Sequence, residues 1–142
     1  PQEMYEIPLY EAEVERKGSD ITIVATQIML DKAHKAADIM AKEGVSVEII
    51  DPRTIYPYDK DTIQKSVAKT GRIILAQEGP KYGGWGAELS AMISEDVFEY
   101  LCAPIKRVTS LDSPVPYAPV LEDYVLPQLD DLVKTCRELM EY

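Results

Sequence analysis

The chain is poor in the residues that build metal and redox centres. Its 142 residues include one histidine, His34, one tryptophan, Trp85, and two cysteines. A lone histidine cannot form a multi-histidine metal site. Cys102 and Cys136 lie far apart with no motif spacing, so they read as buried thiols in a reducing compartment rather than as a disulfide or metal pair. No apolar run approaches the roughly 20 residues a membrane helix needs, and no basic-then-apolar leader is visible. Cations are scarce as well: 15 Lys and Arg face 25 Asp and Glu, a formal charge of -10. Such a field repels nucleic acid and anionic membranes, so neither is expected as a partner. It suits a basic protein partner, or solubility alone.

What the chain does have is a core. Its hydrophobic residues, 46% of the total, suffice for one domain of ordinary size without metal or disulfide staples. Residues 21–26 (ITIVAT) are β-branched and apolar, as in a strand covered on both faces. Leu30, Ala33, Ala37 and Met40 recur at helical spacing through residues 29–42, with Gly44 as a stop. VSVEII (45–50) is a second strand, and Asp59 opens a helix that ends at Gly71. RIILAQ (72–77) is a third strand, residues 85–101 form one long helix, and IKRVT (105–109) is a fourth strand. Pro127 starts a last helix with Asp130 and Asp131 in its first turn.

This alternation predicts a single three-layer α/β/α domain with a mostly parallel central sheet over residues 19–142. The alternating AEVER at 12–16 suggests an added edge strand, which would make the sheet mixed. The opening PQEMYEIPLYE lacks periodicity. Residues 1–18 therefore read as a linker from an earlier domain plus that edge strand, although loss of an initiator Met would give the same start.

The stretch QEGPKYGGWGAELS (77–90) sits between a strand and a helix, where α/β sheets place ligands. A free-standing domain binding an anionic metabolite at this glycine loop is one reading. Against it, Leu89 stands where a dinucleotide fingerprint needs its third glycine, no G-K-[ST] follows, and Glu78 would repel a phosphate. Glycines that let Trp85 tuck under a tight turn are the structural alternative. In DPRTIYPYD (51–59), Arg53 either clamps a carboxylate or pins its own loop through Asp51, Asp59 or an orphan carbonyl. Glu78, Glu88 and Asp112 are the acid–base candidates, but no nucleophile–base pair can be assigned beside them. His34 reads as solvent-facing, and Glu11, Glu13 and Glu15 as a solvated strand face. LDSPVPYAPVLEDYVLP (111–127), with four prolines, predicts a rigid, helix-free arm. It carries Tyr117 and Tyr124 and packs on its own domain or on a partner.

DPRTIYPYD, the run TGRIILAQEGPKYGGWGAELSAMISEDVFEYLCAPIKRVTSLDSPVPYAP and the final L-P-x-x-x-D helix together resemble one family domain. It is the C-terminal, transketolase C-terminal-like domain of the beta subunit of thiamine-diphosphate-dependent 2-oxo acid dehydrogenases. The likeness runs from about Tyr5 to Tyr142. It implies an assembly module of an oxidative decarboxylase acting on pyruvate or branched-chain 2-oxo acids, in the cytoplasm or mitochondrial matrix. The family's partners would be an alpha subunit, a second beta subunit and the binding domain of the dihydrolipoyl acyltransferase. Thiamine diphosphate and magnesium would sit between the alpha subunit and a beta-subunit N-terminal domain, so no catalytic, cofactor-binding or metal residue transfers to this chain. The resemblance places Tyr142 and Glu141 at the acyltransferase contact. Trp85 and Tyr117 are further partner-contact candidates. Gln77-Glu78-Gly79 departs from the His-Glu-Ala of many branched-chain members, which leaves the substrate open.

Overall fold

A computed structural model describes residues 3–142; Pro1 and Gln2, the start of the expected linker, lie outside the described residues. Five strands form one sheet in the order β1-β3-β2-β4-β5. They are β1 (Glu13–Arg16), β2 (Ile21–Ala25), β3 (Val47–Asp51), β4 (Ile73–Pro80) and β5 (Lys106–Ser110). β2 to β5 are parallel, with Ile23 opposite Ile49 on one side and Ile74 on the other. The edge strand β1 runs antiparallel to β3, so the sheet is mixed.

Helices cover both faces. α1 (Ile28–Lys42) and α5 (Leu129–Met140) share a core with Ile21, Ile23, Ile49 and Ile74. α2 (Lys60–Thr70) and α3 (Trp85–Asp96) pack on the other face against Val24, Ile50, Ile73 and Leu75. Every residue of β2 is buried, which explains why its sequence does not alternate; its one polar member, Thr22, is hydrogen-bonded. Among the described residues no helix is long and apolar enough to cross a membrane.

Three expectations need correction. The long helix of residues 85–101 stops at Asp96; Val97 takes an extended φ of -139°, and Phe98–Tyr100 form a separate 3-10 turn. The proline-rich arm is not helix-free, because α4 (Pro119–Val125) occupies its second half. Pro119 sits at the start of α4, where its missing N–H costs no hydrogen bond. The last helix begins two residues after Pro127, because Gln128 caps it reciprocally with Asp131.

At the amino ends of the parallel strands, the foot of the sheet, a buried polar cluster lies beneath α2. The Thr22 hydroxyl lies 2.6 Å from Ser66 Oγ and 2.7 Å from Thr70 Oγ1. Glu48, 3% exposed, accepts from Ser66, from the Lys69 ammonium and from the Gly18 amide at 3.2 Å. Burial alone would raise the Glu48 pKa, but these hydrogen bonds and the Lys69 charge outweigh it and hold the carboxyl below its ordinary value. Gly18 makes room for this closure: a Cβ there would meet the Glu48 amide nitrogen at 2.2 Å.

Candidate functional site

The chain leaves β2 toward β3 and leaves β4 toward β5, so the strand order switches between these two neighbours. The carboxyl ends of strands at such a switch are where open α/β sheets hold ligands. Three loops build this crest: Thr26–Gln27 after β2, residues 52–59 after β3, and residues 81–84 between β4 and α3.

Gln77 organises the glycine loop. It is 2% exposed, and a buried carboxamide must find partners. Its Nε2 donates to the Pro80 carbonyl at 2.9 Å, and its Oε1 accepts from the Gly86 N–H at 2.8 Å. The loop winds round this group so closely that a Cβ on Gly84 would lie 1.8 Å from Gln77 Nε2. Gly83 turns the chain with φ +72°, a conformation that favours glycine. The Ala87 N–H bonds back to the Gly84 carbonyl at 3.0 Å. An anion at this helix start would need the Gly86 and Ala87 donors. Both are engaged. The residue that fills the turn is therefore Gln77 and not Trp85, a role the sequence reading missed. A glutamine closing the apolar run Ile73–Ala76 was the available signal.

Trp85 is half-buried and stands between two crevices. The smaller, of about 290 Å³, is apolar and is walled by Pro52, Ile55, Tyr58, Leu89 and Met92. The larger, of about 760 Å³, is lined by Ile7, Gln27, Asp51, Arg53, Glu78 and Gly79, among others. Among the described residues three non-glycine residues take positive φ, and two of them, Gln27 and Arg53, line the larger crevice. The third, Tyr10, donates its amide to Thr54 Oγ1 at 3.4 Å.

Arg53 pins its loop, although not by the expected side-chain pairs. Its guanidinium bonds Glu13 Oε2 at 2.7 Å across to β1, and its backbone N–H reaches Asp51 Oδ1 at 2.8 Å. Glu13 is thus engaged rather than merely solvated. Asp59 is taken up elsewhere: it caps α2 through the Thr62 N–H at 3.0 Å and accepts the Ala12 N–H at 3.1 Å. Burial would raise the Asp59 pKa, yet these hydrogen bonds bring it below the ordinary value.

The acid–base candidates are not brought together. Glu78 lines the larger crevice, Glu88 the smaller, and Asp112 accepts the Tyr82 N–H at 3.4 Å below the arm. His34 is partly covered, 3.7 Å from Glu15 Oε2. Cys136 is buried, which pushes its thiol up to about 12. Cys102, expected to be buried, is exposed. Its amide bonds the Gly71 carbonyl at 2.8 Å, which holds it on the outside of the turn after residue 100. Among the described residues no group of three or more His, Cys, Asp or Glu could hold a metal ion.

The partner-contact candidates are spread over the molecule. Tyr142 borders a groove of about 500 Å³ at the foot with Phe98, Leu101, Cys102 and Ile105. Glu141 is exposed beside it, Tyr117 projects fully from the arm, and Trp85 stands at the crest.

Residues 10–132 match the family pattern described as transketolase, C-terminal domain. The chain is 43% identical over 133 residues to "Pyruvate dehydrogenase E1 component subunit beta-2, mitochondrial" of Oryza sativa subsp. japonica, covering 94% of this chain and 35% of that protein. It is 42% identical over 142 residues to "2-oxoisovalerate dehydrogenase subunit beta 2, mitochondrial" of Arabidopsis thaliana, covering 100% of this chain and 39% of the relative. The chain thus spans little more than a third of the length of these curated relatives. Among solved structures, "Split gene transketolase, inactive beta4 tetramer" superposes with a TM-score of 0.85 at 25% identity, over 96% of this chain and 44% of that one.

Proposed function

Because the chain belongs to the transketolase C-terminal domain family, we propose that it is the assembly domain of the beta subunit of a 2-oxo acid dehydrogenase. In this reading it joins an alpha subunit and a second beta subunit, and it docks the binding domain of the dihydrolipoyl acyltransferase. The decarboxylation, with thiamine diphosphate and magnesium, belongs to other parts of the assembly, in the mitochondrial matrix or the bacterial cytoplasm. The observation that carries this reading is the closure of the glycine loop on Gln77. A sheet crest where the Gly86 and Ala87 donors are spent internally suits a scaffold better than a nucleotide site. That closure also weighs against the rival, an anionic metabolite held at the same loop.

Near-equal identity to relatives named for pyruvate and for 2-oxoisovalerate, 43% and 42%, fits a module that does not read the acid's side chain. The foot groove bordered by Tyr142, with Glu141 exposed beside it in sequence, is the proposed acyltransferase contact, its apolar residues and that carboxylate suiting a basic docking domain. Trp85 is proposed as a second contact at the crest.

The test is titration calorimetry of the chain in two arms. Thiamine diphosphate with magnesium, nucleotides and small carboxylates should give no saturable heat. The acyltransferase binding domain should bind, and Glu141→Lys should weaken that binding about tenfold. Micromolar coenzyme binding, or no response to the docking domain, would sink the proposal.

A further inference from the structure

The arm between β5 and α5 is anchored at its base and bare at its tip. At the base, the Leu111 N–H bonds the Val125 carbonyl at 3.0 Å, and Gln128 Nε2 donates to the Asp123 and Leu126 carbonyls at 2.8 and 2.9 Å. The Lys32 ammonium reaches the Pro127 carbonyl at 2.6 Å. Pro114, Pro116 and Pro119 restrict the backbone beyond. The arm's base is therefore held by hydrogen bonds, and its tip has a restricted backbone.

Its outer surface is apolar. α4 buries Val125 and turns Val120 (80% exposed), Leu121 (53%) and Tyr124 (74%) outward, beside Val115 and the fully exposed Tyr117. Its two tyrosines alone present roughly 300 Å². With the aliphatics, the patch reaches the upper end of the ~300–600 Å² that a monomer ordinarily shows. That is most of the ~800 Å² that one side of a stable interface uses.

Its charge has one sign. From Val108 to Val133 the chain carries five acidic residues and no Lys, Arg or His. Arg107 donates to the Lys81 carbonyl at 2.9 Å near Asp112, so the nearest cations stay at the base. Glu122 and Asp123, on α4 itself, have no ion-pair partner among the described residues.

We infer that the arm is a docking surface for a different polypeptide, one whose apolar centre receives Tyr117 and Tyr124 and whose rim sets Lys or Arg against Glu122 and Asp123. A second copy of this arm is the poorer occupant, because it would set a surface with five acidic residues and no cation from Val108 to Val133 against another of the same sign. The inference rests on the assembly reading and adds to it a surface separate from the Tyr142 groove.

The test places a photoreactive phenylalanine at Tyr117, at Tyr142 or at exposed Lys35, within the complex in which the chain is purified. Adducts from position 117 should join a polypeptide other than this one, at a peptide bearing Lys or Arg. Glu122→Lys with Asp123→Lys, in a protein of unchanged circular dichroism, should cut that yield several-fold, as should raised salt. The inference falls if position 117 joins a second copy, gives no more adduct than Lys35, or ignores both the charge reversal and salt. Adducts at 142 without adducts at 117 would overturn the arm alone. An absence of adducts at every position would overturn the assembly reading with it.

Discussion

The two ends of the sheet use their polar groups in opposite ways. At the foot, Thr22, Glu48, Ser66, Thr70 and Lys69 satisfy one another, and a bare glycine lets the backbone close over them. At the crest, Gln77 closes one loop, while the neighbouring loops hold Gln27 and Arg53 in left-handed backbone and leave two crevices open. The buried polar groups at the foot hold α2 to the sheet, whereas the crest keeps positive-φ backbone and open space. The two ends thus differ in how their polar groups are used, and the Tyr142 groove lies outside the closed cluster at the foot.

The sharpest way to break this contrast is Gly18→Ala. The added Cβ would press on the backbone of Val47 and Glu48, which cannot swing aside as a side chain would. A loss of about 3 kcal/mol or more is expected by urea unfolding, at the upper end of overpacking costs. A loss below ~1 kcal/mol would mean that the foot yields as readily as the crest. Next is Gln77→Ala, which strands the Gly86 N–H and the Pro80 carbonyl and should cost about 2 kcal/mol. Trp85, the chain's sole tryptophan, should shift its emission to longer wavelength at denaturant concentrations where far-ultraviolet dichroism is still native. Coincident transitions would show that the loop does not open independently of the sheet.

The smallest effect is in acid. Glu48 is held below its usual value of 4.5, so the unfolded chain binds the proton more readily and stability rises with pH across this range. Its contribution is complete above pH 4.5 and is lost as pH falls through the lower folded value. Glu48→Gln should flatten the stability curve below that point and leave its shape near neutrality unchanged. An equal acid slope in wild type and variant would refute the role given to Glu48.

The parallel strands were legible because ITIVAT and RIILAQ are continuous apolar runs, the mark of strands covered on both faces. α4 was missed because the same prolines that stiffen the arm mask a short helix, and only Pro119 at its start is compatible with one. The break at Val97 carries no glycine or proline, so periodicity ran through it. Within the site, Arg53 was read as a loop pin, yet its partner Glu13 lies on a strand 40 residues earlier, beyond local pattern. Glu48 could have been suspected, since a charge inside VSVEII demands a partner. That this partner set is Ser66, Lys69 and Gly18 depends on how α2 crosses β2 and β3, which no spacing encodes.

The first strand in the chain is one of the sheet's two edge strands, held on one side only. Arg53 reaches across to it from the crest, and the segment just before it supplies Ile7, Pro8 and Leu9 to the larger crevice. Peeling of that single edge would dismantle one wall of the crevice while the four parallel strands stay paired. The antiparallel β1–β3 ladder and the segment before it therefore carry one wall of that crevice.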